Sequence, residues 1–194
     1  MRRFLVLSLV SVVVLAGCGG ARTVPSTMNI APVTPIMRWD HRAESDAWTA
    51  ATLAALRSHG AVLVSTEPAD IAEWCPGYAE AKPPQRRAFW SGLLSALAKY
   101  ESTWNPKAVG GGGLWIGLVQ IDPRTAKGYG CVAQSPAALK DGAANLSCAV
   151  RIAAHQVPKR GTVARGMRDW GPFHFSDKRA AMAAWTRSQA YCAK

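Results

Sequence analysis

The sequence predicts a mainly α-helical, single-domain fold with one small loop or hairpin lobe, and three observations carry that prediction. Apolar residues recur at helical spacing in several stretches, clearest from Glu44 to His59, from Phe89 to Glu101, from Leu146 to Ala153 and from Arg179 to Tyr191. Between the second and third of these lies a glycine run, Gly110 to Gly113, with no periodic pattern of its own. The length, 194 residues, suits one domain with a sizeable core and hardly two.

The chain opens with Arg2 and Arg3, an apolar run from Phe4 to Leu15, and then Leu15-Ala16-Gly17-Cys18. That is a basic n-region, an apolar stretch too short to span a bilayer, and small residues before a cleavage point. Because Cys follows the small pair, residues 1–17 resemble a bacterial lipoprotein signal peptide. The resemblance implies that Cys18 is lipidated, becomes the new N-terminus and anchors the protein to a membrane through two or more acyl chains. Gly19 rather than Asp comes next, which by the same resemblance implies the periplasmic side of the outer membrane. Residues 18–40, with Pro25, Pro32 and Pro35 among small and polar residues, read as a flexible tether, so the folded domain is expected at 41–194.

Within that domain, Trp48, Leu53, Ala54 and Leu56 give the first helix its apolar face, with Gly60 expected at its C′ position. Ala61 to Val64 reads as a buried linker, and Thr66, Pro68 and Asp70 as the start of a short helix running to Trp74. Pro83 and Pro84 suit the first turn of the next helix, which needs no backbone N–H from them, and Phe89 and Trp90 anchor it to the core. Asn105 precedes Pro106 and is pushed out of the α region, which ends that helix. Asp122 is placed to cap a helix whose first residue is Pro123. Leu146, Val150, Ile152 and Ala153 supply the apolar face of another, and an alanine-rich stretch with Met182 and Trp185 closes the domain.

Besides Cys18 there are four cysteines, Cys75, Cys131, Cys148 and Cys192, and an even number in an exported chain points to disulfides. Four cysteines allow three pairings. Cys131 and Cys148 bracket a short loop and helix and are the expected pair, leaving Cys75 with Cys192. A thiol nucleophile has little support, since Cys75 precedes Pro76 and no histidine lies nearby in sequence to activate it. Neither the His nor the Cys spacing fits a metal ligand set, so no metal or cofactor is expected. The formal net charge is +11, spread without a dense basic run. Export excludes most nucleic-acid partners and leaves an anionic wall polymer, a lipid head-group surface or simple solubility as readings of the charge.

One carboxylate stands apart from the rest. At about 100° per residue, Trp90, Leu94, Leu97 and Glu101 fall on one narrow arc of helix, so the acid continues an apolar stripe and sits at the rim of a core. Desolvation there disfavours the charged form, and so does the negative end of the helix dipole. Both raise the pKa toward the range a general acid needs near neutral pH.

Around Glu101 the motifs come in order: Tyr100-Glu101-Ser102, then Asn105-Pro106, the glycine run, Gly117-Leu118-Val119-Gln120-Ile121, and Pro123-Arg124-Thr125-Ala126. This succession resembles the lytic transglycosylases of the lysozyme superfamily, which read Glu-Ser, Asn-Pro, Gly-Leu-Met-Gln-Ile and Pro-x-Thr-Ala. The resemblance is close over Tyr100 to Ala126 and weaker over Phe89 to Ile152. It implies an α+β lysozyme-like fold whose small lobe covers a sugar groove, with Glu101 as the catalytic acid. Gly117 and Val119 would line the groove wall, Val standing where the family usually has Met. Gln120 would face the substrate, its amide offering donors and an acceptor to an N-acetyl group or a hydroxyl. For Ser102, fixing the acid or substrate and ordinary helix-end placement are both open. For Trp104 and Trp115, sugar stacking and core packing are both open. Asn145-Leu146 resembles the family's Asn-Ile, in which the Asn is structural. Where the family has Tyr-Asn-x-Gly-Pro, its Tyr touching the acid, this chain has Asp169-Trp170-Gly171-Pro172, so Trp170 is expected in that place. His174, between Phe173 and Phe175, reads as a surface residue.

The implied reaction is cleavage of the β-1,4 bond between N-acetylmuramic acid and N-acetylglucosamine in peptidoglycan glycan strands, leaving 1,6-anhydromuramic ends. No second catalytic carboxylate is evident, since Asp122 is better explained as a helix cap. Two rivals stand beside it: a hydrolytic muramidase on the same acid, and a non-catalytic wall-binding lipoprotein of the same fold.

Overall fold

The computed structural model describes residues 34–194; the signal segment, Cys18 and the start of the tether lie outside that range. Among the described residues the order is α1 (Ser45–Arg57), α2 (Ala61–Ser65), α3 (Ile71–Trp74), α4 (Pro83–Ser102), β1 (Val109–Gly110), β2 (Trp115–Ile116), α5 (Pro123–Gly128), α6 (Pro136–Leu139), α7 (Gly142–Arg160), α8 (Val163–Gly166) and α9 (Ser176–Arg187). This is the α-rich, lysozyme-like architecture expected, with β1 and β2 pairing antiparallel as the small lobe.

The long helix α4 is the axis. From Ala88 to Ala98 every residue is buried, serines included, so this stretch is covered all round. α1, α2 and α9 pack against it, as does the turn Ala190–Cys192. Gly92 is a point of close approach. A Cβ there would collide with the Tyr191 hydroxyl and crowd the Trp185 ring, so glycine lets the end of the domain lie directly on the helix. α7, the second long helix, packs on α1, α2, α6 and α8.

Two disulfides tie these parts together, Cys75 with Cys192 across 117 residues and Cys131 with Cys148 across 17. On chain-entropy grounds such loops stabilise by about 5 and about 3 kcal/mol. Asp70 makes a further long-range tie, its carboxylate accepting from the Val163 and Ala164 N–H groups at the start of α8 (2.6 and 2.9 Å).

Three expectations need correction. The tether does not extend to residue 40: Met37 and Trp39 are buried, the Trp39 indole N–H donates to Thr49 Oγ1 (2.9 Å), and the Arg38 N–H donates to Ser95 Oγ (2.9 Å). Composition masked this, because two core side chains sit among polar residues and prolines. Ala61 to Val64 is not a linker but most of α2, with Leu63 and Val64 buried. Gly60 has φ −93°, so it is no left-handed cap; a Cβ there would meet the Val150 side chain on α7.

Candidate active site

α4 carries Glu101 in its last turn, above the buried Trp90, Leu94 and Leu97. Burial pushes the Glu101 carboxyl up to about 7, the positive charge of Lys178 on α9 partly opposing the rise. Its Oε1 is buried and has no hydrogen-bond partner among the described residues. An acid so placed keeps a substantial protonated fraction near neutral pH and has an oxygen not engaged by the protein.

The helix ends one residue later than the acid, before the Asn105-Pro106 pair is reached. Thr103 and Trp104 both take left-handed backbone (φ 52° and 56°), and the Trp104 N–H returns to the Ala98 carbonyl (3.2 Å). Trp104 anchors this bend: its indole N–H donates to the Ser95 carbonyl (2.9 Å) and its ring meets His41 edge-on at 4.5 Å. Of the two roles open to Trp104, the structure assigns packing.

Beside the acid lies a closed clasp around Gly117 to Gln120. The Ser102 hydroxyl donates to the Leu118 carbonyl (2.8 Å), with the Ala98 carbonyl at 3.3 Å. Asn145 Oδ1 accepts from the Val119 N–H (3.0 Å), while its amide donates to the Ile116 and Leu139 carbonyls (2.9 and 3.1 Å). The Trp170 indole N–H donates to the Val119 carbonyl (2.9 Å). Ile116 and Ile121 close the loop with mutual backbone hydrogen bonds.

This clasp bears on five of the expected site residues. Ser102 holds the loop rather than the acid or a sugar. Val119 is not a groove wall: its side chain is fully buried, so the Val-for-Met difference falls in the core. Gly117 is a fit requirement, with φ +83° and no room for a Cβ between the Leu139 carbonyl and the Asn145 amide. Trp170 is 4% exposed, and its N–H is engaged by Val119. Gln120 is tied in as well, its amide nitrogen donating to the Gly117 carbonyl (2.9 Å) and its Oε1 lying against Gly110 in the lobe, and it also lines the cleft in front. Asn145 plays the structural part expected of it.

In front of the clasp, Trp115, Gln120, Asp122, Thr125, Asp169 and Trp170 line a small cleft of about 70 Å³. Trp115 is the exposed aromatic there, 51% accessible on β2. Asp122 caps α5, accepting from the Arg124 N–H (2.7 Å), and the Arg124 guanidinium holds its carboxyl below the usual range. Asp169 pairs with Arg160 (3.2 Å). Lys178, whose ammonium lies 4.6 Å from the Phe175 ring centroid, and Asp169 were not legible as site residues. Neither shares a helical face with Glu101, and no spacing links them to it.

The chain matches the family described as Transglycosylase SLT domain over residues 79–184, a span that holds Glu101, the lobe, the clasp and Lys178. The chain belongs to this transglycosylase family. Solved structures of Bd0314 DslA resemble this SLT-family chain closely in fold. One Glu-to-Gln mutant form has 27% identity and a TM-score of 0.74, covering 82% of this chain and 99% of that one. A second Glu-to-Gln mutant form has 26% identity and the same TM-score and coverage, and a wild-type form has 27% identity with a TM-score of 0.73. No curated protein matches the chain. SLT domains act on peptidoglycan glycan strands, and the fold here is of the lytic transglycosylase type.

Proposed function

We propose that the protein is a peptidoglycan lytic transglycosylase with Glu101 as its catalytic acid and base. The observation that carries this reading is the state of Glu101: desolvated, titrating at about 7, with one oxygen unpartnered, within an SLT-family fold. In the first half Glu101 gives its proton to the glycosidic oxygen as the bond from C1 of N-acetylmuramic acid breaks. In the second half the Glu101 carboxylate takes the proton of the C6 hydroxyl while that oxygen bonds to C1. The acid is regenerated and no water is consumed. Lys178 favours the carboxylate formed between the two halves. Trp115 is the side chain available for stacking on a sugar ring. The same reading puts the enzyme on the periplasmic side of the outer membrane, held by lipid on Cys18, for which the N-terminal sequence is the support.

The test is mass spectrometry of purified peptidoglycan after incubation with the protein and with Glu101→Gln. Anhydromuramic ends are expected from the parent, and a loss of at least about a thousandfold in their rate from the variant. Reducing ends would instead identify a hydrolase. Unaltered glycan from both would identify a wall-binding protein.

A further inference from the structure

Along the sequence the positive charge looks spread out, but residues 151–194 hold nine Lys and Arg against two Asp, and the fold gathers several of them. Lys159 and Arg160 at the end of α7, Arg165 on α8 and Arg168 just beyond it line one open cleft of about 390 Å³. Cations in the last turn of a helix normally answer the helix dipole, and three of these four fit that description. Two further observations exceed it. Arg160 already has Asp169 (3.2 Å) and Gln156 Oε1 (3.0 Å) as partners, whereas Lys159, Arg165 and Arg168 make no ion pair among the described residues. Like charges around one hollow repel each other and are relieved by a bound anion. Asp169, the partner of Arg160, lines the small cleft with Trp115, Gln120 and Trp170, so one ion pair joins the basic cleft to that small cleft.

We infer that the basic cleft receives the carboxylates of the peptide stems carried by a glycan strand in the groove, a reading that rests on the proposed glycan substrate. Each muramic acid bears its peptide on a lactyl ether, so a strand in the groove projects carboxylates to its side. Guanidinium groups pair with carboxylates in a two-pronged geometry, and two arginines there are without ion-pair partners. A lipid phosphate would match the charge but not the link through Asp169 to the small cleft beside the clasp. The cleft thereby selects strands whose stems are present and fixes their position along the groove.

The experiment measures binding in the Glu101→Gln protein, so that strands stay uncut, with and without Lys159→Gln and Arg165→Gln added together. Neither side chain makes a hydrogen bond within the described fold, and an unchanged melting temperature verifies folding. Three ligands are compared: peptide-bearing strands, strands stripped of peptide by an amidase, and phosphatidylglycerol vesicles. The added substitutions are expected to weaken binding to peptide-bearing strands about tenfold at low salt, with the difference vanishing on stripped strands and shrinking as salt rises. Equal weakening on both glycans, no weakening on either, or a loss confined to vesicles would overturn the inference. If the protein without the added substitutions binds neither glycan, the glycan reading itself falls, and that outcome is separate from the others.

Discussion

The floor of the site and the lobe above it are near neighbours in sequence, yet they are held by different means. From Gly117 to Gln120 the chain is clasped by side chains from α4, from α7 and from the segment before α9, with Val119 bonded through both its N–H and its carbonyl. From Gly111 to Gly113 the lobe runs through three glycines of positive φ, and Val109, Leu114 and Trp115 around them are about half exposed. The floor stays fixed because its polar groups are buried and bonded. The lobe has few buried contacts and is the part free to adjust to a polymer.

That contrast can be broken most forcefully at Asn145. Asn145→Ala leaves the Val119 N–H and the Leu139 carbonyl without partners and takes one of two donors from the Ile116 carbonyl, which keeps the Ile121 N–H, and is expected to lower stability by about 3 kcal/mol in urea unfolding. A loss below about 1 kcal/mol would mean that the floor does not depend on its clasp.

Glu101, beside the floor, sharpens the contrast through pH. In the unfolded chain it titrates near 4.5 and in the fold near 7, so between those values the folded protein holds the extra proton. Its contribution is complete below about pH 4.5 and is lost as pH rises through 7, with stability falling by about 3 kcal/mol. Glu101→Gln is therefore expected to be the more stable protein at pH 8 and to match the parent near pH 4. Denaturation curves at the two pH values check this, and a gap that does not change with pH would show that the acid is not desolvated.

The smallest stability effect is expected in the lobe. Trp115→Ala should change the unfolding free energy by less than about 0.5 kcal/mol while weakening glycan binding several-fold. If it destabilised the fold as much as Asn145→Ala does, floor and lobe would not be distinct.

Helical spacing made much of this legible. The stripe under Glu101 foretold its burial, and the cysteine spacing foretold both disulfides. What stayed hidden was the partner of each polar group. Ser102 reaches a carbonyl 16 residues away and Trp170 one 51 residues away, distances at which spacing carries no information. The motif marked these residues as belonging to the site, but not whether they face the ligand or hold the loop behind it. Trp39 was missed for another reason: a single aromatic among prolines leaves no periodicity to read.

The contact of Tyr191 and Trp185 with Gly92 bears on how the molecule is made. A ribosome delivers α4 roughly a hundred residues before the side chains that cover its middle, and Cys75 must wait 117 residues for Cys192. The helix bearing Glu101 therefore cannot be fully enclosed while the chain is still emerging. A molecule of this design reaches its working form only when finished, after its last turn has closed over α4.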